Sequence, residues 1–134
     1  MPLSFIQHFV VSPSDLDDLN HVNNVRYVYW AQEIAKAHWQ DLTKNYKQDL
    51  GIWVVRAHEI VYKQGAFLGD HLKVVTYVEK AKGPLSKRIV NFFNASNGQL
   101  LVQCKTEWCY LQSIEKRNPI RIPEAVKTLF GIEV

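Results

Sequence analysis

The spacing of apolar and polar residues predicts one long helix over about Asn24 to Lys44. Within it, charged and amide side chains recur at helical spacing and form a single narrow polar stripe, consisting of Arg26, Glu33, Lys36, Gln40 and Lys44. The remaining faces are apolar and carry Tyr27, Trp30 and Trp39. A helix that is apolar over most of its circumference is expected to be enclosed by the fold rather than to lie on a surface.

Segments rich in β-branched and aromatic residues predict five strands. These strands span residues 4–11, 52–64, 72–81, 86–96 and 100–112. The connections between the last four are short, and Asn97-Gly98 in the last of them is typical of a hairpin turn. We therefore expect consecutive strands to be antiparallel neighbours. A short helix over 124–130 follows Pro123, which the first turn of a helix tolerates.

One long helix and one strongly curved antiparallel sheet predict an α+β domain in which the sheet wraps around the helix. A chain of 134 residues has no room for a second core, so we assign residues 1–134 to one domain. Four Trp, six Tyr and six Phe are many large rings for so small a domain. Together with an open sheet edge, they favour a homodimer or homotetramer.

Composition and charge argue against several classes of protein. The net charge of +3 is mild, and no basic stretch has interleaved aromatic residues, so a nucleic-acid-binding module is not expected. The densest basic stretch, Glu79-Lys80-Ala81-Lys82 with Lys87-Arg88, is interpreted as a solvated hairpin end. The alternative is an electrostatic docking site for an anionic partner such as the phosphates of CoA. No segment approaches the roughly 20 apolar residues of a membrane span.

The two cysteines are expected to be free thiols. Cys104 and Cys109 are five positions apart on a predicted strand, which places them on opposite faces. The N-terminus lacks the basic start and apolar run of a signal peptide. Both features favour a cytoplasmic protein.

The acid-rich segment that leads into the helix resembles a known family. From Asp15 to Trp30 the sequence DLDDLNHVNNVRYVYW resembles the signature of hotdog-fold thioesterases. Its part HVNNVRY is similar to the motif of acyl-ACP thioesterases, and its Asp-x-Asp start is similar to single-domain 4-hydroxybenzoyl-CoA thioesterase-like enzymes. Weaker similarities around Gly69-Asp70 and at Ile122-Pro123-Glu124 extend the resemblance over nearly the whole chain.

The resemblance implies a single hotdog domain that hydrolyses an acyl-CoA or acyl-ACP thioester to the free acid and thiol, with no cofactor and no metal. Asp17 matches the family's catalytic carboxylate, and His21 matches the histidine of the motif. The matching substrate-binding residues are Val22, Asn23, Asn24 and Tyr27. Leu19 and Gly65 depart from the family pattern, and the acyl carrier stays open between CoA and ACP.

The residues themselves are suited to this chemistry. Asp17 can act as a general base or as a nucleophile. The helix N-terminus that follows carries outward-pointing amides and a positive dipole, so donors near Val22 to Asn24 could stabilise an oxyanion. The alternative for Asp17 is a helix cap or turn aspartate. Asp15 is interpreted as a turn residue, and Asp18 as an exposed neighbour.

Three histidine and glutamate positions keep two interpretations each. His21 either orients Asp17 and the substrate carbonyl or is a loop histidine bonded to a backbone carbonyl. His58 and Glu59 either line the site from the partner subunit or form an alternating pair on an edge strand. His58-Glu59 lacks the second histidine of a zinc-protease motif, so no metal site is expected.

The alternative functions are a hotdog hydratase or dehydratase and a non-catalytic acyl-thioester binding protein.

Overall fold

The computed structural model describes residues 2–132 and contains the predicted helices and strands. In chain order the elements are β1 (Phe5–Val10), α1 (Asn24–Thr43), β2 (Ile52–Tyr62), β3 (His71–Lys82), β4 (Leu85–Asn94), β5 (Leu100–Leu111) and α2 (Glu124–Leu129). A 3-10 turn, Pro13–Asp15, precedes the loop that leads into α1. The observed ends differ from the predicted ones by no more than two residues.

The five strands form one antiparallel sheet with the order β1-β3-β4-β5-β2. The hairpins β3–β4 and β4–β5 are confirmed, and Gly98 adopts a positive φ of 75° in the second connection. The expectation that β2 and β3 are neighbours is wrong, because β2 pairs with β5 at the far edge of the sheet.

The connection between β2 and β3 explains the difference, because it crosses the end of the sheet instead of folding back as a hairpin. The amides of Lys63 and Gln64 donate to the Leu101 carbonyl at the start of β5. Further along, the Gly69 amide donates to the carbonyl of Val11, just beyond β1. The connection therefore passes from the β5 side to the β1 side, directly below the loop that precedes α1.

Helix α1 lies across one face of the curved sheet and forms the core with it. Buried residues of this core come from α1, β3, β4 and β5, and include Tyr27, Ile34, Val74, Phe92 and Val102. Full burial of a side chain of this kind stabilises the fold by about 1.5–3 kcal/mol. A second cluster joins the C-terminal part of the domain through Tyr110, Val126 and Phe130.

The expectation that α1 is enclosed on most sides holds for one face only within a single chain. Its buried residues are Tyr27, Ala31, Ile34, Ala35 and His38, a single stripe. Val25 is 66% exposed and Tyr29 is 52% exposed. The apolar surface that the pattern assigned to the interior is therefore partly open along the helix.

The interpretation of the basic stretch as a solvated hairpin end is wrong for Arg88, which is 4% exposed. Arg88 follows the alternation of β4 and its side chain lies on the face covered by α1, whereas Lys80 and Lys82 are exposed. Cys104 and Cys109 are both buried free thiols on opposite faces of β5, as predicted. Among residues 2–132, no helix is long and apolar enough to cross a membrane.

Candidate functional site

Asp15 anchors the loop that precedes α1. Its side chain accepts hydrogen bonds from the amide of Ser12 at 2.9 Å, the hydroxyl of Ser12 at 3.1 Å and Nε of Arg26 at 3.0 Å. Its carbonyl accepts the amide of Asn23 at 2.9 Å. Because Asp15 is only 5% exposed and fully engaged, it holds the loop against the helix and fits its interpretation as a turn residue.

Asp17 lies next in the loop with a different environment. One carboxylate oxygen accepts the amide of Leu19 at 2.9 Å, and the other lies 3.3 Å from Nδ1 of His21. The main chain closes a tight turn here, with the Asp17 amide donating to the His21 carbonyl and Asn20 at a φ of 62°. Each oxygen therefore has one neighbour, and the side chain keeps 25% of its surface exposed.

His21 joins the loop to a cavity at the N-terminal end of α1. Its Nδ1 lies 3.3 Å from the Asp17 carboxylate and 3.4 Å from the carbonyl of Val22, so the contact of each alternative interpretation is present. Its ring meets Phe67 edge to face, with centroids 6.5 Å apart. Packing against Phe67 and the contact with Asp17 together set the orientation of the imidazole.

The cavity has a volume of about 280 Å³ and is formed by the start of α1, the end of β2 and the connection to β3. It brings together four predicted site residues, His21, Val22, Asn24 and Tyr27, whereas Asp17 and Asn23 are not among its lining residues. It also contains residues that sequence reasoning did not select, namely Tyr62, Lys63, Gln64, Gly65 and Phe67. Their contribution depends on the crossing of the β2–β3 connection, which the short loop length did not predict.

The structure corrects the set of main-chain donors expected near the helix start. The amide of Val22 donates to the Ala66 carbonyl at 2.8 Å, and the amide of Asn23 is used by Asp15. Asn23 is the N-cap of α1 and accepts the Val25 amide through its side chain at 3.0 Å. Among these three amides only that of Asn24 has no acceptor within residues 2–132, as expected for the first position of a helix.

Tyr27 offers a second donor in the same cavity. Its side chain is 2% exposed, and its hydroxyl is enclosed without a well-aligned hydrogen bond to any described residue. Burial and the neighbouring Tyr62 raise the pKa of Tyr27 to about 12, so the phenol stays protonated at neutral pH. The hydroxyl of Tyr62 is engaged, because it donates to the Asn24 carbonyl at 3.2 Å.

His58 and Glu59 are not part of this cavity within one chain. His58 faces α1, with Nδ1 2.9 Å from the hydroxyl of Thr106 and Nε2 3.3 Å from the side-chain amide of Gln32. Burial lowers the pKa of His58. Glu59 points from the opposite face of the sheet and is exposed opposite Lys105. Their placement in a site shared with a partner subunit stays a prediction.

Known proteins resemble this chain in sequence family and in fold. The family model described as the thioesterase-like superfamily matches residues 11–130. A 1,4-dihydroxy-2-naphthoyl-CoA thioesterase from Synechocystis superposes with a TM-score of 0.79 at 17% identity over 96% of both chains. A probable thioesterase from Escherichia coli gives 0.78 at 18% identity, over 92% of this chain and 94% of the other.

A 12:0-ACP thioesterase from Umbellularia californica gives a TM-score of 0.78 at 17% identity, over 96% of this chain and 49% of the larger one. Comparison with the curated proteins finds no sequence match. At these identities the structural likeness establishes the fold, a five-stranded antiparallel sheet curved around α1, and the family model covers most of the chain. The chain therefore belongs to the thioesterase-like superfamily and has the hotdog fold.

Proposed function

We propose that this protein hydrolyses an acyl-CoA or acyl-ACP thioester to the free acid and the thiol, with Asp17 as the reacting carboxylate. Membership of the thioesterase-like superfamily supports the reaction class. The observation that carries the assignment is the partly exposed Asp17 carboxylate, with one oxygen 3.3 Å from Nδ1 of His21, a residue that lines the cavity at the start of α1. The neighbouring carboxylate, Asp15, is excluded because it is buried and paired with Arg26.

The surrounding groups suit a thioester carbonyl. In the proposal, the carbonyl oxygen binds against the free Asn24 amide, where the helix dipole favours negative charge. Tyr27, a neutral phenol in the same cavity, is the second candidate donor. Groups of this kind stabilise the oxyanion that develops during attack, and loss of one donor typically costs about 100- to 1,000-fold in rate.

Asp17 can act by two routes that use the same placement. As a general base it takes a proton from water while the water oxygen attacks the carbonyl carbon, and the thiolate leaves and is protonated. As a nucleophile it forms an acyl-aspartyl anhydride and releases the thiol, and water then hydrolyses the anhydride. In both routes His21 is a positioning residue that directs the carboxylate through the contact at Nδ1.

The test of the reaction class is thiol release from a panel of acyl-CoA and acyl-ACP thioesters that varies chain length and includes aromatic acyl groups. We expect turnover with at least one acyl class, at a rate well above spontaneous hydrolysis. The ratio of kcat/KM between CoA and ACP forms of the same acyl group assigns the carrier. Tight binding of acyl-CoA without thiol release from any member would contradict hydrolysis and identify a non-catalytic binding protein.

A further inference from the structure

A second and larger cavity, about 420 Å³ in volume, lies beside the C-terminal half of α1. It shares no lining residue with the cavity near Asp17. Its walls include three of the four tryptophans of the chain, together with Arg88 and Ser86 from β4 and Phe130 from the end of α2; the tryptophans are Trp39, Trp53 and Trp108. The space is therefore an aromatic cavity with a cation in its wall.

Arg88 has no negatively charged partner among the described residues. Its Nη1 donates to Nδ1 of His38 at 2.9 Å and to the hydroxyl of Thr76 at 3.1 Å. An arginine can only donate, so His38 accepts through Nδ1 and is neutral. The guanidinium also lies 5.6 Å from the centroid of the Phe130 ring. Its only hydrogen bonds to residues 2–132 are those of Nη1, and Nε and Nη2 are not among the fully enclosed atoms, so they are open to the cavity. Such a charge is costly to bury without a partner.

Two further unsatisfied donors belong to residues that line this cavity. The indole N–H groups of Trp53 and Trp108 are enclosed and have no hydrogen-bond partner among the described residues. Buried polar groups without partners are few in native proteins, so each calls for an explanation. Arg88 and two tryptophans of one cavity wall thus have donors without an acceptor among residues 2–132, which indicates a bound acceptor.

The charges at the mouth of the cavity do not provide that acceptor. Glu33 and Lys36 of α1 are both exposed there, with opposite charges. The Glu33 carboxylate accepts the hydroxyl of Tyr29 at 3.1 Å on the outer side of the helix. The charge inside the cavity is therefore that of Arg88, which stays positive at neutral pH.

We propose that this cavity binds an organic carboxylate, with the carboxylate on Arg88 and an apolar body between the tryptophan rings. Because α1 rises about 1.5 Å per residue, the nearest lining residues of the two cavities on α1, Tyr27 and Gln32, are about 7.5 Å apart along the helix, and Asn24 and Ala35 about 16 Å. The carboxylate is then either the far end of a long acyl group held at Asp17 or a separate acid. Binding of a carboxylate at Arg88 does not rest on the proposed function. Only the acyl group as its source rests on it.

The direct test is titration of the wild-type protein with 3-phenylpropanoate and, as a neutral match, 3-phenylpropanamide. Binding is followed by calorimetry and by tryptophan fluorescence, because three of the four tryptophans line the cavity. We expect the acid to bind about 10- to 100-fold more tightly than the amide, as for hydrogen bonds to charged groups. Equal affinity for acid and amide, or no response to either, would overturn the proposal.

Two variants locate the site. Arg88→Met replaces the guanidinium with an unbranched apolar side chain and is expected to abolish the preference for the acid. If folded Arg88→Met still preferred the acid, the assignment to Arg88 would be overturned. Trp108→Phe keeps the apolar wall and removes one N–H, and it is expected to weaken acid binding several-fold even if Arg88→Met does not fold. Unchanged acid affinity in Trp108→Phe would place the ligand elsewhere.

Kinetics with matched thioesters distinguish the two sources of the carboxylate. If the far end of the acyl group is the ligand, long-chain α,ω-dicarboxyl-CoA has a higher kcat/KM than the monocarboxyl-CoA of equal length, and Arg88→Met removes the difference. If a separate acid is the ligand, the two thioesters react alike while 3-phenylpropanoate still binds. If the protein hydrolysed no thioester but still bound the acid, the proposed function would be refuted and the carboxylate site at Arg88 would stand.

Discussion

Three aspartates in the loop before α1 show how one residue type acquires three roles. Asp15 is buried and accepts hydrogen bonds from Ser12 and Arg26, whereas Asp17 is partly exposed and contacts His21. Asp18 has neither arrangement among the described residues. The motif resemblance selects Asp17, and the geometry gives a physical reason for that choice. No feature of the local sequence predicts that the Val22 and Asn23 amides are consumed by Ala66 and Asp15.

His38 gives a prediction for stability at acidic pH. Burial and the adjacent Arg88 lower the pKa of His38 from 6.5 to about 4. The unfolded chain therefore takes up the proton first as pH falls. The stabilisation that comes from neutral His38 is complete above about pH 6.5 and is lost between there and pH 4. The expected loss is about 3 kcal/mol for a shift of this size.

Urea denaturation from pH 7 to pH 4 measures this dependence. We expect His38→Gln to flatten the part of the profile below pH 6.5, while the same substitution at the exposed His8 leaves it unchanged. Identical profiles for wild type and His38→Gln would show that His38 is not buried in its neutral form.

At the scale of elements, the start of α1 depends on its cap. Asn23 accepts the Val25 amide through its side chain, whereas the Asn24 side chain makes no such contact among the described residues. Asn23→Ala should therefore lower the free energy of unfolding by about 1 kcal/mol. The matched Asn24→Ala substitution should change it by less than about 0.5 kcal/mol, as for an exposed position.

Chemical denaturation of the two variants provides the comparison. The adjacent positions make it a strict one, because both are asparagines at the same end of the same helix. A larger loss of stability for Asn24→Ala than for Asn23→Ala would contradict the assignment of the cap.

The elements were predictable from the sequence, but the partners of the two edge strands, β1 and β2, were not. Periodicity locates α1 and the five strands because apolar spacing differs between helix and strand. Loop length alone does not determine pairing: the β2–β3 connection is short yet crosses the sheet end, held there by Leu101 and Val11. The cavity walls at Lys63 and Phe67 follow from this crossing, which explains why sequence reasoning missed them.

At the scale of the whole molecule, the single chain leaves apolar surface near the candidate site. Large apolar residues are exposed in the loop before α1, in its first two turns and in the β2–β3 connection, among them Leu19, Val25, Tyr29, Phe67 and Leu68. β1 and β2 are the two edges of the sheet. Exposed apolar patches of this kind are typical of association surfaces.

We therefore expect light scattering to give twice or four times the chain mass of 15.6 kDa. A substitution that places a charge in this surface, Val25→Glu, is expected to weaken the assembly and to lower activity with it. The exposed Lys80→Glu provides a control outside the surface. A fully active monomer at assay concentration would contradict a site that is completed by a second copy.

The proposed hydrolysis depends on the carboxylate of Asp17, and substitutions at positions 17 and 18 test this dependence. Asn at position 17 can still accept the Leu19 amide through its side-chain oxygen, so the turn is kept while the basic oxygen is lost. We predict that Asp17→Asn lowers kcat/KM for thiol release by about 100- to 10,000-fold with unchanged stability. The neighbouring Asp18→Asn should retain the wild-type value. Equal activity of Asp17→Asn and wild type would show that the Asp17 carboxylate does not perform the chemistry.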